Sequence, residues 1–325
     1  MKFTDLSAQE RALLQGLQAR IGRAHLRHRL ALEGEAEARV FRRGTHFPHL
    51  ENWFAMPRML ALVLAMLGLH GLCRRNTLRI AHKRSELALE RLPPGFDGFR
   101  VLHLSDLHLD ASERFLECLI DNVSGLEHDC CVLTGDFRFR VCGPHEPAMQ
   151  ALERLRPALG PAVYAVLGNH DSVRMVPTME AMDIRVLMNE SAPIRRGDDA
   201  IYLAGIDDAH YFHAHGLHKA ADGIPPGACS VLLSHTPEPY RHAAHCGFDL
   251  MLCGHTHGGQ ICLPGGIPIL TDSDAPRAYA RGAWRFGAMQ GYTSVGCGSS
   301  IVEARLNCAP EVCVHRLVRA VPGGQ

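Results

Sequence analysis

The sequence predicts an α/β fold, and two features of the chain support this prediction. Five short apolar runs with the character of buried strands end near residues 104, 133, 167, 233 and 253, and each leads directly into a polar cluster. Buried parallel strands read as continuous apolar runs, and open α/β sheets carry their sites in loops beyond the carboxyl ends of the strands. Helical patterns lie between several of these runs, as crossover connections require.

Length and composition are those of an ordinary globular protein. The chain has 325 residues, enough for one large domain or two small ones, with 46% hydrophobic and 21% charged residues. Its 34 basic and 34 acidic residues cancel, so the overall charge predicts no nucleic-acid binding. The twelve cysteines form no CxxC pair, which favours free thiols in a reducing compartment over disulfides or a structural metal.

Residues 1–52 are predicted to form a helical N-terminal extension. Ser7 and Glu10 have the spacing of a capping box, and apolar residues recur at helical intervals from Leu14 to Ala24. Two interpretations fit this amphipathic pattern: a helix packed on its own protein, or a helix that binds a membrane surface or a partner.

Residues 53–75 are a hydrophobic segment and a candidate membrane anchor. The most apolar part runs from Met59 to Cys73, but about 15 residues are fewer than the roughly 20 that span hydrocarbon. A short transmembrane helix, an interfacial anchor and a buried helix all fit this length. Trp53 and the basic cluster after Cys73 favour a peripheral or single-pass position at the cytoplasmic face of the membrane, with a soluble cytoplasmic protein as the alternative.

Residues 76–325 are predicted to form the main domain. A strand-like segment leads into the turn cluster LPPGFDGFR, which directly precedes the first buried strand of this domain. Three helical patterns follow the polar clusters, at residues 111–123, 146–160 and 175–183. The tail from Tyr292 onward is expected to supply strands of a second sheet.

A histidine-rich stretch at residues 207–227 contains His210, His213, His215 and His218. The loose spacing and the glycines favour a solvated, mobile loop. A third metal site, or contact between these histidines and a substrate phosphate, is the alternative.

The five polar clusters contain the residues with the clearest chemistry. They read SDLH from residue 105, TGD from 134, GNHD from 168, SH from 234 and GHTH from 254. Their candidate ligands are two carboxylates, an amide and four imidazoles: Asp106, His108, Asp136, Asn169, His235, His255 and His257. This set suits borderline to hard divalent metals and exceeds the need of one tetrahedral ion. In an extended segment residues i and i+2 point to one side, which would explain the spacing of DxH and HxH.

The order DxH, GD, GNHD, H and GHxH resembles the calcineurin-like metallophosphoesterase family, from about Leu92 to Leu317. The form GHTHGGQ is similar to a bacterial membrane-associated phosphodiesterase subgroup, whereas phosphoprotein phosphatases have Glu where Asp171 stands. The resemblance implies a four-layer αββα sandwich of two mixed sheets flanked by helices, here with the helical N-terminal extension in front.

The resemblance also implies a role for each matched residue. Three positions would bind one metal ion, three would bind a second, and one would bridge both: Asp106, His108 and His257; Asn169, His235 and His255; and Asp136. His170 would be catalytic, protonating the leaving group or stabilising the phosphate oxygens. Asp171 would orient His170 or cap its loop. The implied cofactor is two divalent ions, which could be manganese, iron, zinc or cobalt.

The implied function is hydrolysis of a phosphodiester or diphosphate by a metal-bound hydroxide, which two close cations generate from water. A membrane segment beside such a site suits a lipid-linked substrate, so a pyrophosphatase of the UDP-diacylglucosamine type is the first alternative. An alternative of another class is a non-catalytic scaffold that binds a protein partner at the same face.

Overall fold

The computed structural model describes residues 8–41 and 56–320. The described chain begins with two long helices, α1 (Ala8–Ile21) and α2 (Arg23–Phe41), and continues after residue 55 with α3 (Met56–Met66) and α4 (His70–Asn76). The capping-box prediction at Ser7 and the interface prediction at Trp53 lie outside the described residues.

The first sheet has six strands: β1 (Ala81–Leu89), β2 (Arg100–Leu104), β3 (Cys130–Thr134), β4 (Val163–Val166), β5 (Ile184–Val186) and β14 (Glu311–Arg319). Their order is β1, β14, β2, β3, β4, β5. Strands β2 to β5 are parallel, whereas β14 pairs parallel with β1 and antiparallel with β2. The carboxyl ends of β2, β3 and β4 therefore meet at one edge of this sheet.

The second sheet also has six strands: β6 (Glu190–Arg196), β7 (Asp199–Gly205), β8 (Ser230–Leu233), β9 (Leu250–Cys253), β12 (Gly282–Phe286) and β13 (Met289–Thr293). Their order is β12, β13, β9, β8, β7, β6, with parallel pairing in the centre and antiparallel pairing at both edges. Between these sheet strands in sequence, β10 (Cys262–Leu263) and β11 (Ile267–Pro268) form a separate short hairpin.

Helices cover the outer faces of both sheets. On the first sheet lie α5 (Glu113–Val123), α6 (Glu146–Leu155) and α7 (Val176–Ala181), and on the second lie α8 (Leu217–Ala221) and α9 (Tyr240–His245). Side chains alternate along the strands, so Leu102 and Leu104 contact the outer helical core while Val101 enters the core between the sheets. The predicted four-layer αββα sandwich is confirmed.

The prediction for the tail of the chain is half right. Strand β13 belongs to the second sheet, but β14 lies in the first sheet and pairs over its whole length with β1. An apolar strand pattern reports burial and not which sheet the strand joins, because that choice depends on a long-range partner.

The N-terminal helices pack on the main domain. Leu14, Leu17 and Ile21 of α1 and Leu26 and Leu30 of α2 are buried in the same core as the strands and helices of the first sheet. The interpretation that this amphipathic extension packs on its own protein is therefore confirmed for α1 and α2.

The apolar stretch of residues 59–73 does not form one helix. It is divided between α3 and α4 by a turn at residues 67–69, and Leu64 and Cys73 pack on Ala304 of the main domain. Within residues 8–41 and 56–320, no helix combines the length and the apolar character needed to cross a membrane.

Candidate metal centre

The seven candidate ligands meet where the two sheets adjoin. Asp106 and His108 follow β2, Asp136 follows β3 and Asn169 follows β4; His235 follows β8, and His255 and His257 follow β9. All seven side chains are buried. Buried polar groups without partners are costly, so this concentration needs a compensating ligand or a dense internal network.

The first group of ligand atoms comes from Asp106, His108 and His257, and its members all lie within 4.8 Å of one another. The Nε2 atoms of His108 and His257 are 3.2 Å apart, and His257 Nε2 is 3.4 Å from Asp106 Oδ1. These separations suit three donors that face a single ion.

The second group comes from Asn169, His235 and His255. Asn169 Oδ1 lies 2.9 Å from His235 Nε2 and 3.1 Å from His255 Nδ1, and the two imidazole nitrogens are 3.2 Å apart. Asp136 lies between the groups: its Oδ2 is 3.4 Å from His235 Nε2 and 3.9 Å from His108 Nε2.

Hydrogen bonds to backbone carbonyls orient three of the four imidazoles. His108 Nδ1 donates to Arg138 O at 2.9 Å, His235 Nδ1 to Thr134 O at 2.7 Å and His255 Nε2 to Asp272 O at 2.9 Å. A carbonyl oxygen can only accept, so the proton of each ring is on the outward nitrogen and the other nitrogen faces the cluster. The donor set and the orientation of these three rings therefore fit a pair of divalent ions.

The electrostatics keep most of these imidazoles neutral, as metal ligands must be. Burial lowers the pKa of His108, His255 and His257, and the nearby Arg305 guanidinium lowers that of His257 further. The exception is the pair of Asp136 and His235. Burial opposes charge on both groups, but their mutual attraction outweighs it, lowering the pKa of Asp136 and raising that of His235.

The backbone of the ligand loops is left-handed, contrary to the extended geometry that the spacing suggested. The φ angles of Asp106, His108, Asp136, His255 and His257 lie between 44° and 71°. The i, i+2 explanation is therefore wrong for DxH and HxH, although both pairs do reach the cluster. Non-glycine residues adopt this region at a cost, and such residues concentrate at functional sites.

His170 and Asp171 occupy different positions around the cluster. His170 Nδ1 donates to Phe139 O at 2.7 Å, and its Nε2 is 3.8 Å from Asp136 Oδ2. Burial lowers the pKa of His170 to about 4, with Asp136 acting in the opposite direction. The Asp171 carboxylate accepts hydrogen bonds from the backbone N–H groups of Asp136, Phe137 and Gly168 at 2.8–2.9 Å.

The histidine-rich stretch differs from the solvated loop that was expected. Asp207, Asp208 and His210 are buried, and Asp208 accepts hydrogen bonds from the backbone that follows it. The His210 ring lies 4.2 Å from the His255 ring and bonds Glu238 at 2.8 Å. Sequence reasoning missed this placement, because no local spacing relates His210 to His255.

A cavity of about 330 Å³ opens beside the cluster. Three candidate metal ligands, Asp136, His255 and His257, contribute to its lining, and we call them the floor of the cavity. Apolar side chains from four segments also line it and form its apolar wall, among them Leu60 of α3, Ile261, Ile269, Leu270 and Ile301. The cavity therefore combines candidate metal ligands with an apolar wall.

Comparison with known proteins assigns the family. Residues 99–259 match the family model described as calcineurin-like phosphoesterase. The phosphodiesterase YaeI of Escherichia coli (strain K12) is 30% identical over 235 residues, which cover 68% of this chain and 82% of YaeI. The chain belongs to the calcineurin-like phosphoesterase family, as its motif order predicted.

Two other relatives differ in length and in name. A bovine (Bos taurus) transmembrane protein with metallophosphoesterase domain is 31% identical over 228 residues, 64% of this chain. The chain spans about half the length of that protein, 50% of it. The UDP-2,3-diacylglucosamine pyrophosphatase LpxG of Chlamydia trachomatis serovar D is 28% identical over 223 residues, 51% of this chain and 66% of LpxG.

Proposed function

We propose that this protein is a dinuclear metal-dependent phosphoesterase that hydrolyses a phosphodiester or a diphosphate. The observation that carries the proposal is the pair of adjacent ligand groups with Asp136 between them. When bound, two divalent ions would neutralise the phosphate charge and lower the pKa of water towards roughly 7. Manganese, iron, zinc and cobalt all accept this donor set.

The residues of the chain have two further roles, which are to hold the ions and to donate a proton. One ion would be held by Asp106, His108 and His257 and the other by Asn169, His235 and His255, with Asp136 available to both. His170 faces the shared carboxylate, where a phosphate would approach. The negative charge of a bound phosphate raises the pKa of a neighbouring imidazole, which favours a protonated His170 that donates to the leaving group or to the equatorial oxygens.

Asp171 acts on the loops and not on the substrate. Its three hydrogen bonds hold the backbone of Asp136, Phe137 and Gly168, so it supports the loop-capping alternative. The complete set of ligands together with His170 argues against a non-catalytic scaffold.

Hydrolysis of bis-p-nitrophenyl phosphate by the full-length protein with added manganese tests the proposal. We expect Asp136→Asn and His170→Ala each to lower kcat/KM by at least about 100-fold, because one removes the shared anion and the other the proton donor. His82→Ala, an exposed histidine of the first sheet, serves as the matched control. Rates that stay unchanged in both site variants would remove the enzyme assignment.

A lipid-linked diphosphate is a second candidate substrate, favoured by the apolar wall of the cavity. A diphosphate at the metal-binding floor would direct an attached acyl chain along Leu60, Ile269 and Leu270. The name of the relative LpxG indicates a diacylated substrate for that protein. Each buried methylene contributes about 0.8 kcal/mol, so acyl chains would add considerable binding energy.

Comparing UDP-2,3-diacylglucosamine with UDP-glucosamine tests this candidate. We expect the acylated substrate to be preferred, and Leu270→Asn to reduce that preference about tenfold by placing an amide against the chain. Equal hydrolysis of both compounds, or of neither while bis-p-nitrophenyl phosphate is cleaved, would eliminate the lipid-linked substrate and leave the phosphoesterase proposal intact.

The apolar exterior beside the cavity suggests peripheral contact with a membrane. Among the described residues, nine of the ten exposed large hydrophobic side chains lie in two segments, 59–67 and 263–270, which we call the apolar rim. Leu60 and Leu270 from these segments line the same cavity. We assign the rim to the membrane interface, at the cytoplasmic face, where anionic lipids attract the exposed Arg74 and Arg75.

A further inference from the structure

A second group of metal-ligating side chains lies on the outer face of the second sheet. His218 of α8 and His242 of α9 approach each other with their Nε2 atoms 3.1 Å apart. Cys246, directly beyond the end of α9, completes the group, and the three ligand atoms all lie within 4.8 Å of one another. The main metal centre contributes no residue to this group.

The arrangement has the dimensions of a tetrahedral metal site. Two nitrogens bound at roughly 2.0–2.1 Å to one tetrahedral ion are about 3.4 Å apart, and a nitrogen and a thiolate sulfur about 3.6 Å. His242 and Cys246 are four residues apart along one helical turn and so lie on the same face. Short side-chain rotations would bring all three donors onto one ion.

A simple hydrogen bond between the two imidazoles accounts for the distance between their Nε2 atoms. It does not account for the proximity of the Cys246 thiol to both rings. His215 lies in the loop that precedes α8. The buried Nδ1 of His215 has no hydrogen-bond partner among the residues that the structure describes. Burial lowers the pKa of His215, and His242 is close enough to contribute to that shift, so a neutral imidazole lies near the site.

We propose that His218, His242 and Cys246 bind a divalent ion of the zinc class, with water or His215 as the fourth ligand. Two imidazoles and one thiolate match the borderline-soft character of zinc better than that of manganese or magnesium. Binding requires loss of the Cys246 proton, because the thiolate is the ligand.

The position of this ion gives it a structural role. It joins α8 to α9, and each helix continues from a loop of the main metal centre. The loop before α8 holds His210 against His255, and the loop before α9 contains His235. An ion between the helices would therefore stabilise the positions of both loops without contacting the substrate.

Cobalt titration of the full-length protein tests the site, because only a thiolate ligand gives a sulfur-to-cobalt charge-transfer band and the main centre has no cysteine. Because the main centre also accepts cobalt, we expect the band to reach full intensity when about three equivalents of cobalt per chain are bound, two at the main centre and one at this group. It should disappear in Cys246→Ser and weaken in His218→Ala and His242→Ala. Cys118→Ser and His245→Ala, which alter a half-buried thiol and an exposed histidine outside the group, should retain it.

The Asp136→Asn variant separates this proposal from the phosphoesterase assignment. Its phosphoesterase activity should fall while the thiolate band persists, and zinc should still raise its Tm by a few degrees, an increase that Cys246→Ser removes. Absence of the band from wild type, or its retention in Cys246→Ser, would overturn the proposal.

Discussion

At the scale of single residues, the candidate centre depends on backbone that most side chains avoid. Five of the seven candidate ligands have positive φ angles, each at a cost of order 1–3 kcal/mol. Aspartate and histidine tolerate this region better than branched residues. The conformation turns both residues of DxH and both residues of HxH into the cluster without an extended strand. Asp171 holds the Asp136 loop through backbone hydrogen bonds.

A substitution at Gly254, the first residue of GHTH, tests how closely this loop must approach the loop that contains Ser105 and Asp106. A Cβ atom at this position would collide with Ser105 Oγ and Asp106 Oδ2. We expect Gly254→Ala to displace the Asp106 carboxylate and weaken manganese binding about 10-fold to 100-fold. Metal titration together with kcat/KM for bis-p-nitrophenyl phosphate measures the effect.

Gly71 of α4 provides the matched control. Its environment is open, with no atom within 4 Å of an added Cβ, and neither glycine has a positive φ angle. Gly71→Ala should leave manganese binding unchanged. Wild-type metal affinity in Gly254→Ala would show that the approach of this loop to Asp106 is not required.

At the scale of elements, α2 is part of the support of the GNHD loop. Arg29 is fully buried and pairs with Asp207 at 3.1 Å and with Glu33 at 3.0 Å, while its Nη2 donates to Asp171 O at 3.0 Å. Glu33 in turn accepts hydrogen bonds from Ser172 Oγ and Val173 N, both at 2.7 Å. The N-terminal extension therefore holds the residues that directly follow His170.

Removing Arg29 should be strongly destabilising. Arg29→Leu removes the buried guanidinium that pairs with both Asp207 and Glu33, and breaking a buried ion pair costs about 3–5 kcal/mol. Urea denaturation should show this decrease in the free energy of unfolding. Arg23→Ala, at the exposed start of the same helix, should change it by less than about 0.5 kcal/mol; equal effects of the two changes would contradict the proposed support.

At the scale of the whole molecule, the metal centre, the cavity and the apolar rim share one side of the protein. The inner face of α3 packs on the main domain through Leu60 and Leu64, whereas Leu62 and Met66 remain 60% and 70% exposed. Because α1 and α2 belong to the core, truncating residues 1–75 would unfold the domain as well as remove the first segment of the rim. Point substitutions are the better test of membrane contact.

Sedimentation with anionic lipid vesicles provides that test. We expect wild type to bind, and the double variant Leu62→Glu, Met66→Glu to bind at least about tenfold less, since two apolar side chains no longer enter the interface. Leu13→Glu changes an equally exposed leucine of α1, 59% exposed and outside the rim, and should bind as wild type does. Failure of wild type to bind, or an equal loss in Leu13→Glu, would end the membrane assignment.

The sequence alone was sufficient to predict the strands that precede the polar clusters, the order of those clusters and the family. Strand-like runs before SDLH, TGD, GNHD, SH and GHTH became β2, β3, β4, β8 and β9, because buried strands have a local apolar signature. The same signature could not assign β14 to its sheet, nor reveal the left-handed turns at Asp106 and His255, which depend on contacts with distant loops.

What the sequence by itself determined is the chemistry: which donors follow which strands, and hence the class of metal that they suit. Only the tertiary structure decided that Arg29 bonds the GNHD loop, that the His210 ring contacts the His255 ring, and that Leu60 and Leu270 share a cavity with Asp136. Local patterns report burial and conformation, whereas these contacts join residues far apart in the chain and exist only because the packed layers bring them together.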